Sequence, residues 1–376
     1  MLALSNRSIA VTSIRVGRPY FKGYEMRDSP RVSYASLRDF ICVALEKTGL
    51  PKGDALTMAA LMAEADLQGS DGHGVIRLVP YIRRFKAGAV NLRPNIKVVQ
   101  ERAAMALIDG DNGMGHLVMK RAAELAIEKA RTAGVAWVGS VHSNHAGPAS
   151  LYARMPLAHD MLGLYFAVGN ANHLPAWGGL SMLLSTNPIA CAIPANQEAP
   201  VVLDMATTVA SFGKVKAKAQ RGEMMPEGWM VERDGSPLLD PKRADEGFLL
   251  PVGGYKGYGL SLIIGLLAGT LNGAAMGKEV VDFNHDDTTP TNTGQAIMAI
   301  DPAAFGDVAD FKARVDTVVR DLRASERMPG VERIWVPGEQ SHQKRIDYTT
   351  HGIPVPPALK ANLDKLAADL GIPALA

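Results

Sequence analysis

The chain has 376 residues, enough for two domains of ordinary size. Hydrophobic residues make up 47% and charged residues 21%, which excludes a disordered chain, and 40 basic against 38 acidic side chains leave no surplus for binding nucleic acid. Two cysteines, Cys42 and Cys191, cannot build a disulfide framework or a Cys-rich zinc site, so a reducing cytoplasm is the expected compartment.

Arg7, Arg15, Arg18 and Lys22 precede the first acid, Glu25. Residues 1–32 therefore read as an N-terminal arm, with a transit peptide as the alternative; Asn6, Arg7 and Ser8 interrupt the apolar core that a secretory signal needs. From Val32 to Gly49 the spacing of Leu37, Phe40, Ile41, Ala44 and Leu45 predicts an amphipathic helix, and a second is expected from Asp54 to Gln68. Pro80 suits the first turn of a third helix ending at Gly88. Asn91–Gln100 reads as extended, and Ala103–Ile108 as a short strand closed by a turn over Asp109–Gly113. A helix from His116 to Thr132, stopped by Gly134, separates it from a strand at Val135–Val141. Further strands are expected at Met161–Val168, Ile189–Ile193, Val201–Asp204 and Gln295–Asp301. Helices are expected at Ser211–Gly222, Lys256–Gly277, Phe311–Ser325 and Ala358–Leu370, with a loop-like insert at Pro226–Gly247.

Tyr258–Met276 has no charged residue and is long enough to span a bilayer, with a small residue at every fourth position from Gly257 through Ser261 and Gly265 to Gly277. With no second apolar span, it reads better as a buried core helix whose small-residue groove admits another backbone. A membrane anchor is the rival reading.

There is no Walker A motif and no G-x-G-x-x-G after a strand, so the usual dinucleotide fingerprint is absent. Gly253-Gly254 before Lys256-Gly257 could expose backbone N–H groups to a phosphate, although most such turns are only turns. His73, flanked by Gly72 and Gly74, has little cover, and Arg77 and Tyr81 follow four and eight residues on. Histidine moves protons near neutral pH and arginine forks onto a carboxylate. A His-Gly turn with a surface arginine explains the same residues. His145 follows a strand directly and suits an acid or base. His142 with His145 could also be a metal pair, completed by His285-Asp286-Asp287, which would make a metal-assisted hydrolase the rival enzyme class.

Taken in order, these pieces resemble one family: Gly69-x-x-x-His73-Gly-x-x-Arg77-x-x-x-Tyr81, Ser143-Asn-His145-Ala-Gly147, Ser185-Thr-Asn187-Pro188, Leu203-Asp204-Met-Ala-Thr207, Pro226-Glu-Gly-Trp229, Gly253-Gly-Tyr-Lys256-Gly-Tyr-Gly259 and Pro337-Gly-Glu339. The chain resembles the type-2 malate/L-lactate dehydrogenases over about residues 33–345. That resemblance implies an α+β fold with a non-Rossmann nicotinamide-binding domain on a largely antiparallel sheet, beside a helical domain built from both chain ends. The boundaries expected are 33–100 plus 278–376 for the helical, substrate and dimerisation domain, and 101–277 for the NAD(P)-binding domain. It further implies a homodimer that exchanges hydride between NAD or NADP and C2 of a small 2-hydroxy or 2-oxo acid, with reduction of cyclic imino acids as the alternative. His73 and His145 become the candidate catalytic residues, and Arg77 and Tyr81 the candidate holders of the substrate carboxylate. Asn170, Asp204, Met205, Ala206, Thr207, Lys256, Gly257, Gly338 and Glu339 become candidate cofactor contacts; no resident metal, nucleic acid or membrane is implied. This sequence departs from the family at Gly72, where serine is usual, and at Tyr255, where histidine is common.

Overall fold

Ser33 sets the start of the first helix. Its hydroxyl accepts the Ser36 N–H at 3.0 Å and caps α1 (Tyr34–Lys47). The structure, a computed structural model, describes residues 29–376. The N-terminal arm therefore lies outside the described residues except for its last few, of which Arg31–Val32 pair antiparallel with Ile353–Pro354.

Helices α1, α2 (Lys52–Leu67) and α3 (Leu78–Lys86) bury Leu37, Ile41, Leu45, Met58, Met62 and Ile82 in one core. Leu363 and Leu366, near the C-terminus, close the same core. Burying each such side chain is worth about 1.5–3 kcal/mol, which pins the two ends of the chain together. Pro80 falls in the first turn of α3, where its missing N–H costs nothing.

A second core lies against a seven-stranded sheet. In chain order its strands are β1 (Lys97–Arg102), β2 (Met105–Gly113), β3 (Val135–Ser143), β4 (Leu162–Ala167), β5 (Ile189–Ile193), β6 (Val201–Met205) and β7 (Gln295–Ile300). Their order across the sheet is β1-β2-β3-β7-β4-β5-β6, and every pair is antiparallel except β2–β3. That pair is parallel because α4 (Gly115–Ala133) carries the chain back between them, ending at Gly134 with φ 77°. Val118, Ala122, Ala126 and Ala130 seat α4 on the sheet.

Besides short helical turns, such as Ser150–Ala153, the other helices are α5 (Phe212–Arg221), α6 (Tyr255–Ala268), α7 (Val308–Ala324), α8 (Glu339–His351) and α9 (Pro357–Leu370). Several expectations need correction. Strand β2 runs on to Gly113 instead of turning at Asp109, because Asp111 and Asn112 take left-handed conformations (φ 48° and 55°) that absorb a register shift. Helix α6 stops at Ala268 rather than continuing to Gly277. Asn272 captures the Ala268 carbonyl at 2.7 Å and the Gln295 carbonyl at 3.0 Å, which ties the end of the helix to the sheet. It is also only half a core helix. Its small-residue face is buried, Ser261 donating to the Ser185 carbonyl at 3.1 Å, while Leu260, Ile263 and Leu266 are exposed. Among the described residues no helix is long and apolar enough to cross a membrane. The stretch 278–376, grouped above with the helical unit, supplies the middle strand of the sheet. Helix α8 was not anticipated.

Candidate active site

The two cores meet at a cluster of rings. The α2–α3 connection brings His73 and Arg77, the first turns of α3 bring Tyr81, and the segment after β3 brings His145. Asp66, buried in α2, accepts the Val75 N–H at 2.7 Å and holds this connection to its helix. Gly74 leaves room for this carboxylate, since a Cβ would fall 2.0 Å from Asp66 Oδ1. Burial pushes the Asp66 carboxyl up to about 8.

The His73 and His145 rings are parallel within 1°, with centroids 5.7 Å apart. Phe283 also stacks on His145, at 5.1 Å. Arg77 lies over the Phe283 ring at 5.4 Å and donates Nε–H to the Gly72 carbonyl at 2.7 Å. The buried Tyr81 hydroxyl sits 2.6 Å from His145 Nδ1. The Gly147 N–H also donates to Nδ1, at 3.2 Å. Because an N–H can only donate, Nδ1 is an acceptor, Tyr81 donates to it as well, and the neutral ring carries its proton on Nε2. No protein group among the described residues hydrogen-bonds the His73 ring.

Burial pushes His145 well below its usual value, with help from Arg77, His73 and His116. His73 is pushed down to about 4, first by burial and then by the positive charge of Arg77. Both rings are therefore neutral in the free protein near pH 7. Burial likewise raises Tyr81 above the usual tyrosine range.

The metal reading does not assemble. His142 pairs with Asp109 at 3.0 Å, Asp287 with Arg83 at 3.2 Å, and Asp286 accepts from the Thr288 N–H at 2.8 Å. Among the described residues no group of three or more His, Cys, Asp or Glu could hold a metal ion.

The candidate cofactor residues gather at the end of β6. Asp204 accepts the Ser150 N–H at 2.9 Å, tying that end to the His145 segment, and burial raises its carboxyl. Thr207 is spent on structure: its hydroxyl donates to the Thr186 carbonyl at 3.0 Å, and its own carbonyl accepts from Val252 at 2.9 Å. Through that bond the 251–257 loop lies beside Met205 and Ala206. Gly257 lets α6 start close to this loop, since a Cβ would fall 2.1 Å from the Val252 carbonyl oxygen. Gly338 (φ 88°) packs against Val202, where a Cβ would come within 2.8 Å. Glu339 accepts hydrogen bonds from Arg333 at 2.7 Å and the Val336 N–H at 3.0 Å and is ion-paired with Arg323 at 2.8 Å. Asn170 reaches the site from the far side, where its carbonyl accepts the Phe283 N–H at 3.1 Å. Nothing lies within 4 Å of a Cβ at Gly72, so a serine would fit there. Tyr255 is 63% exposed and sits edge-on to Trp177.

Sequence reading missed Phe283 and His116. A lone aromatic in the polar run 281–294 was the available signal for Phe283; the helical pattern of α4 absorbed His116.

The profile of the malate/L-lactate dehydrogenase family matches residues 32–364. The chain belongs to this family. It is accordingly a dehydrogenase that works with a nicotinamide cofactor. A malate dehydrogenase of Pyrococcus abyssi is 36% identical over 94% of this chain and 99% of its own length. An L-sulfolactate dehydrogenase of Methanocaldococcus jannaschii is 37% identical over 89% of this chain and 96% of its own. The solved sulfolactate dehydrogenase structure from that organism superposes with a TM-score of 0.85 at 35% identity, covering 91% of this chain and 98% of the other.

Proposed function

We propose that this dehydrogenase interconverts a small, anionic 2-hydroxy acid and the corresponding 2-oxo acid, using NAD or NADP. The observation that carries the reading is the parallel His73–His145 pair beside Arg77, with His145 fixed as an Nε2–H donor. The names of the relatives, malate and sulfolactate dehydrogenases, agree with a small acid as substrate.

In this reading Arg77 binds the substrate carboxylate with the guanidinium nitrogens left free by its bond to Gly72. His145 directs its Nε2–H at the C2 oxygen and polarises it. His73 takes the hydroxyl proton in oxidation and returns it in reduction. A carboxylate on Arg77 neutralises the charge that helps to depress His73, so binding of the anion raises the affinity of His73 for a proton.

When bound, the nicotinamide supplies or accepts the hydride. The residues at the end of β6 fit such a group. Lys256 is exposed and makes no ion pair among the described residues, and the first N–H groups of α6 lie beside it at a glycine-built turn. Lys256 and Gly257 are assigned to the cofactor phosphates, Asp204–Thr207 and Gly338 to the wall behind them, and Asn170 to the end nearest His145. Glu339 contributes only by holding Gly338 in place. The sheet unit, with β7 included, binds the cofactor, and the helical unit presents the substrate residues.

A cytoplasmic homodimer completes the reading. Leu260, Ile263, Leu266 and Leu271 leave an apolar stripe on and just after α6, with Ile263 and Leu271 53% and 63% exposed, and a second copy covers it. Sedimentation of a fully active monomer at micromolar concentration would refute the dimer. Turnover of 2-oxo acids and cyclic imines with NADH and with NADPH tests the activity. Reduction of imines alone, with every anionic 2-oxo acid inert, would overturn the substrate assignment.

A further inference from the structure

His116 is completely buried at the start of α4, and neither of its ring nitrogens meets a protein hydrogen-bond partner among the described residues. A buried imidazole with both bonds unmade is costly, and such groups persist where something outside the chain completes them or where they serve the site. The place of this ring is specific. It meets Tyr81 edge to face, at 5.7 Å and 79°, so it backs the residue whose hydroxyl orients His145. Its Nε2 lies 3.2 Å from the point where a Gly147 side chain would begin, and the carbonyl oxygen of His73 lies 3.8 Å from the same point. Gly147, at φ 78°, places no side chain between them.

We infer that His116 is a positioning residue, which holds the His73 turn through one internal water shared between its Nε2 and the His73 carbonyl. The inference rests on the role given to His73 above. The need for such a tie follows from the turn itself. His73 stands between two glycines, its ring has no hydrogen bond among the described residues, and its own backbone N–H is held locally, by the Ser70 carbonyl at 2.9 Å. The Asp66 and Arg77 bonds fix Val75 and Gly72 on either side of it. A water on the His73 carbonyl would fix the residue that carries the ring. Room for one water with two polar partners is what an internal site of this kind requires. Burial and the neighbouring His73 push the His116 ring down to about 3, so it stays neutral and its bonding pattern does not change across the working pH range.

The test compares His116→Phe, which keeps a ring against Tyr81 but removes both nitrogens, with His116→Gln, which restores a polar group. Misplacement of a reacting group by about 1 Å can cost 10²-fold in rate. We expect His116→Phe to lower kcat by about 10- to 10²-fold on that ground, with the KM for cofactor unchanged and Tm within a few degrees of wild type. His116→Gln should recover most of the lost kcat. Crystal structures of the wild type and the Phe variant should show a water bonded to Nε2 and to the His73 carbonyl in the first, and none in the second. A wild-type structure without that water, or a Phe variant with wild-type kcat, overturns the inference. If the Phe variant does not fold, the wild-type density and the Gln variant decide in the same terms. Should the wild type turn over no 2-oxo acid at all, the functional reading fails, while the two crystal structures still decide on the water.

Discussion

His73 and His145 lie parallel at the same site, yet the chain holds them in opposite ways. His145 follows a central strand, has its Nδ1 occupied by the Tyr81 hydroxyl and the Gly147 N–H, and is stacked on Phe283. His73 hangs on a Gly-His-Gly turn, and its ring nitrogens have no hydrogen-bond partner among the described residues. The difference separates two tasks. A group that only polarises an oxygen gains from being fixed in one tautomer, whereas a group that gains and loses a proton needs both ring nitrogens free to change partners.

The sharpest way to break this comparison is to remove each ring. His73→Ala and His145→Ala should each lower kcat by about 10² to 10⁴-fold while leaving the fold and cofactor affinity intact. Added imidazole should restore part of the turnover to His73→Ala, whose ring needs no anchor, and little to His145→Ala, whose ring is oriented by Tyr81 and Gly147. Equal rescue of both in steady-state assays would erase the distinction drawn here.

Arg77→Met comes next. It leaves the substrate carboxylate unpaired in a shielded site, and kcat/KM for 2-oxo acids should fall by the equivalent of about 2–5 kcal/mol while cofactor affinity holds. A loss below about threefold would mean that the carboxylate is held elsewhere.

Tyr81→Phe sharpens the His145 side. One of two donors to Nδ1 is lost but the tautomer survives through Gly147, so kcat should fall by about 1–1.5 kcal/mol, roughly tenfold. A loss as large as that of His145→Ala would make Tyr81 itself the proton donor.

The last effect is on stability and is read from pH dependence, not from rate. His73 and His116 have folded values of about 4 and 3, below the usual 6.5. Groups depressed in this way contribute stability that is present above 6.5 and lost as pH falls, because the unfolded chain takes up the protons first. Each should add a slope of about 1.4 kcal/mol per pH unit between about pH 6.5 and 4. His116→Phe should flatten the pH dependence of the urea midpoint by about one such proton. An unchanged slope would show that His116 is not held neutral.

Much of the fold was legible because local signals coincided with tertiary need. Ser33 and Ser211 cap helices, Gly134 ends one, and apolar spacing outlines α1, α2, α4 and α9. Helix α8 was not legible: Glu339–His351 buries only Glu339 and Tyr348, so it has no apolar stripe and is held by ion pairs at its first residue. The end of α6 was hidden because a distant side chain, Asn272, decides it. At the site, His73, Arg77 and His145 could be picked out from glycine neighbours and strand ends. Tyr81 could be found but not its partner, since its contact with His145 spans 64 residues of sequence. Phe283 and His116 act through stacking and burial, which leave no spacing pattern to read.

On the ribosome, β1–β3 and β4–β6 emerge long before the strand that joins them. Strand β7 pairs with β3 on one side and β4 on the other, and it follows the whole stretch from Ala206 to Gly294. At synthesis rates of about 5–20 residues per second, the nascent chain waits several seconds with two half-sheets whose inner edges are unpaired. Those edges, at Val135–Ser143 and Leu162–Ala167, are strands with open N–H and C=O groups and buried-type side chains, the kind that pair with the wrong chain when left exposed. Release of a chain cut short before Gln295 would therefore yield an aggregating product rather than a smaller folded one.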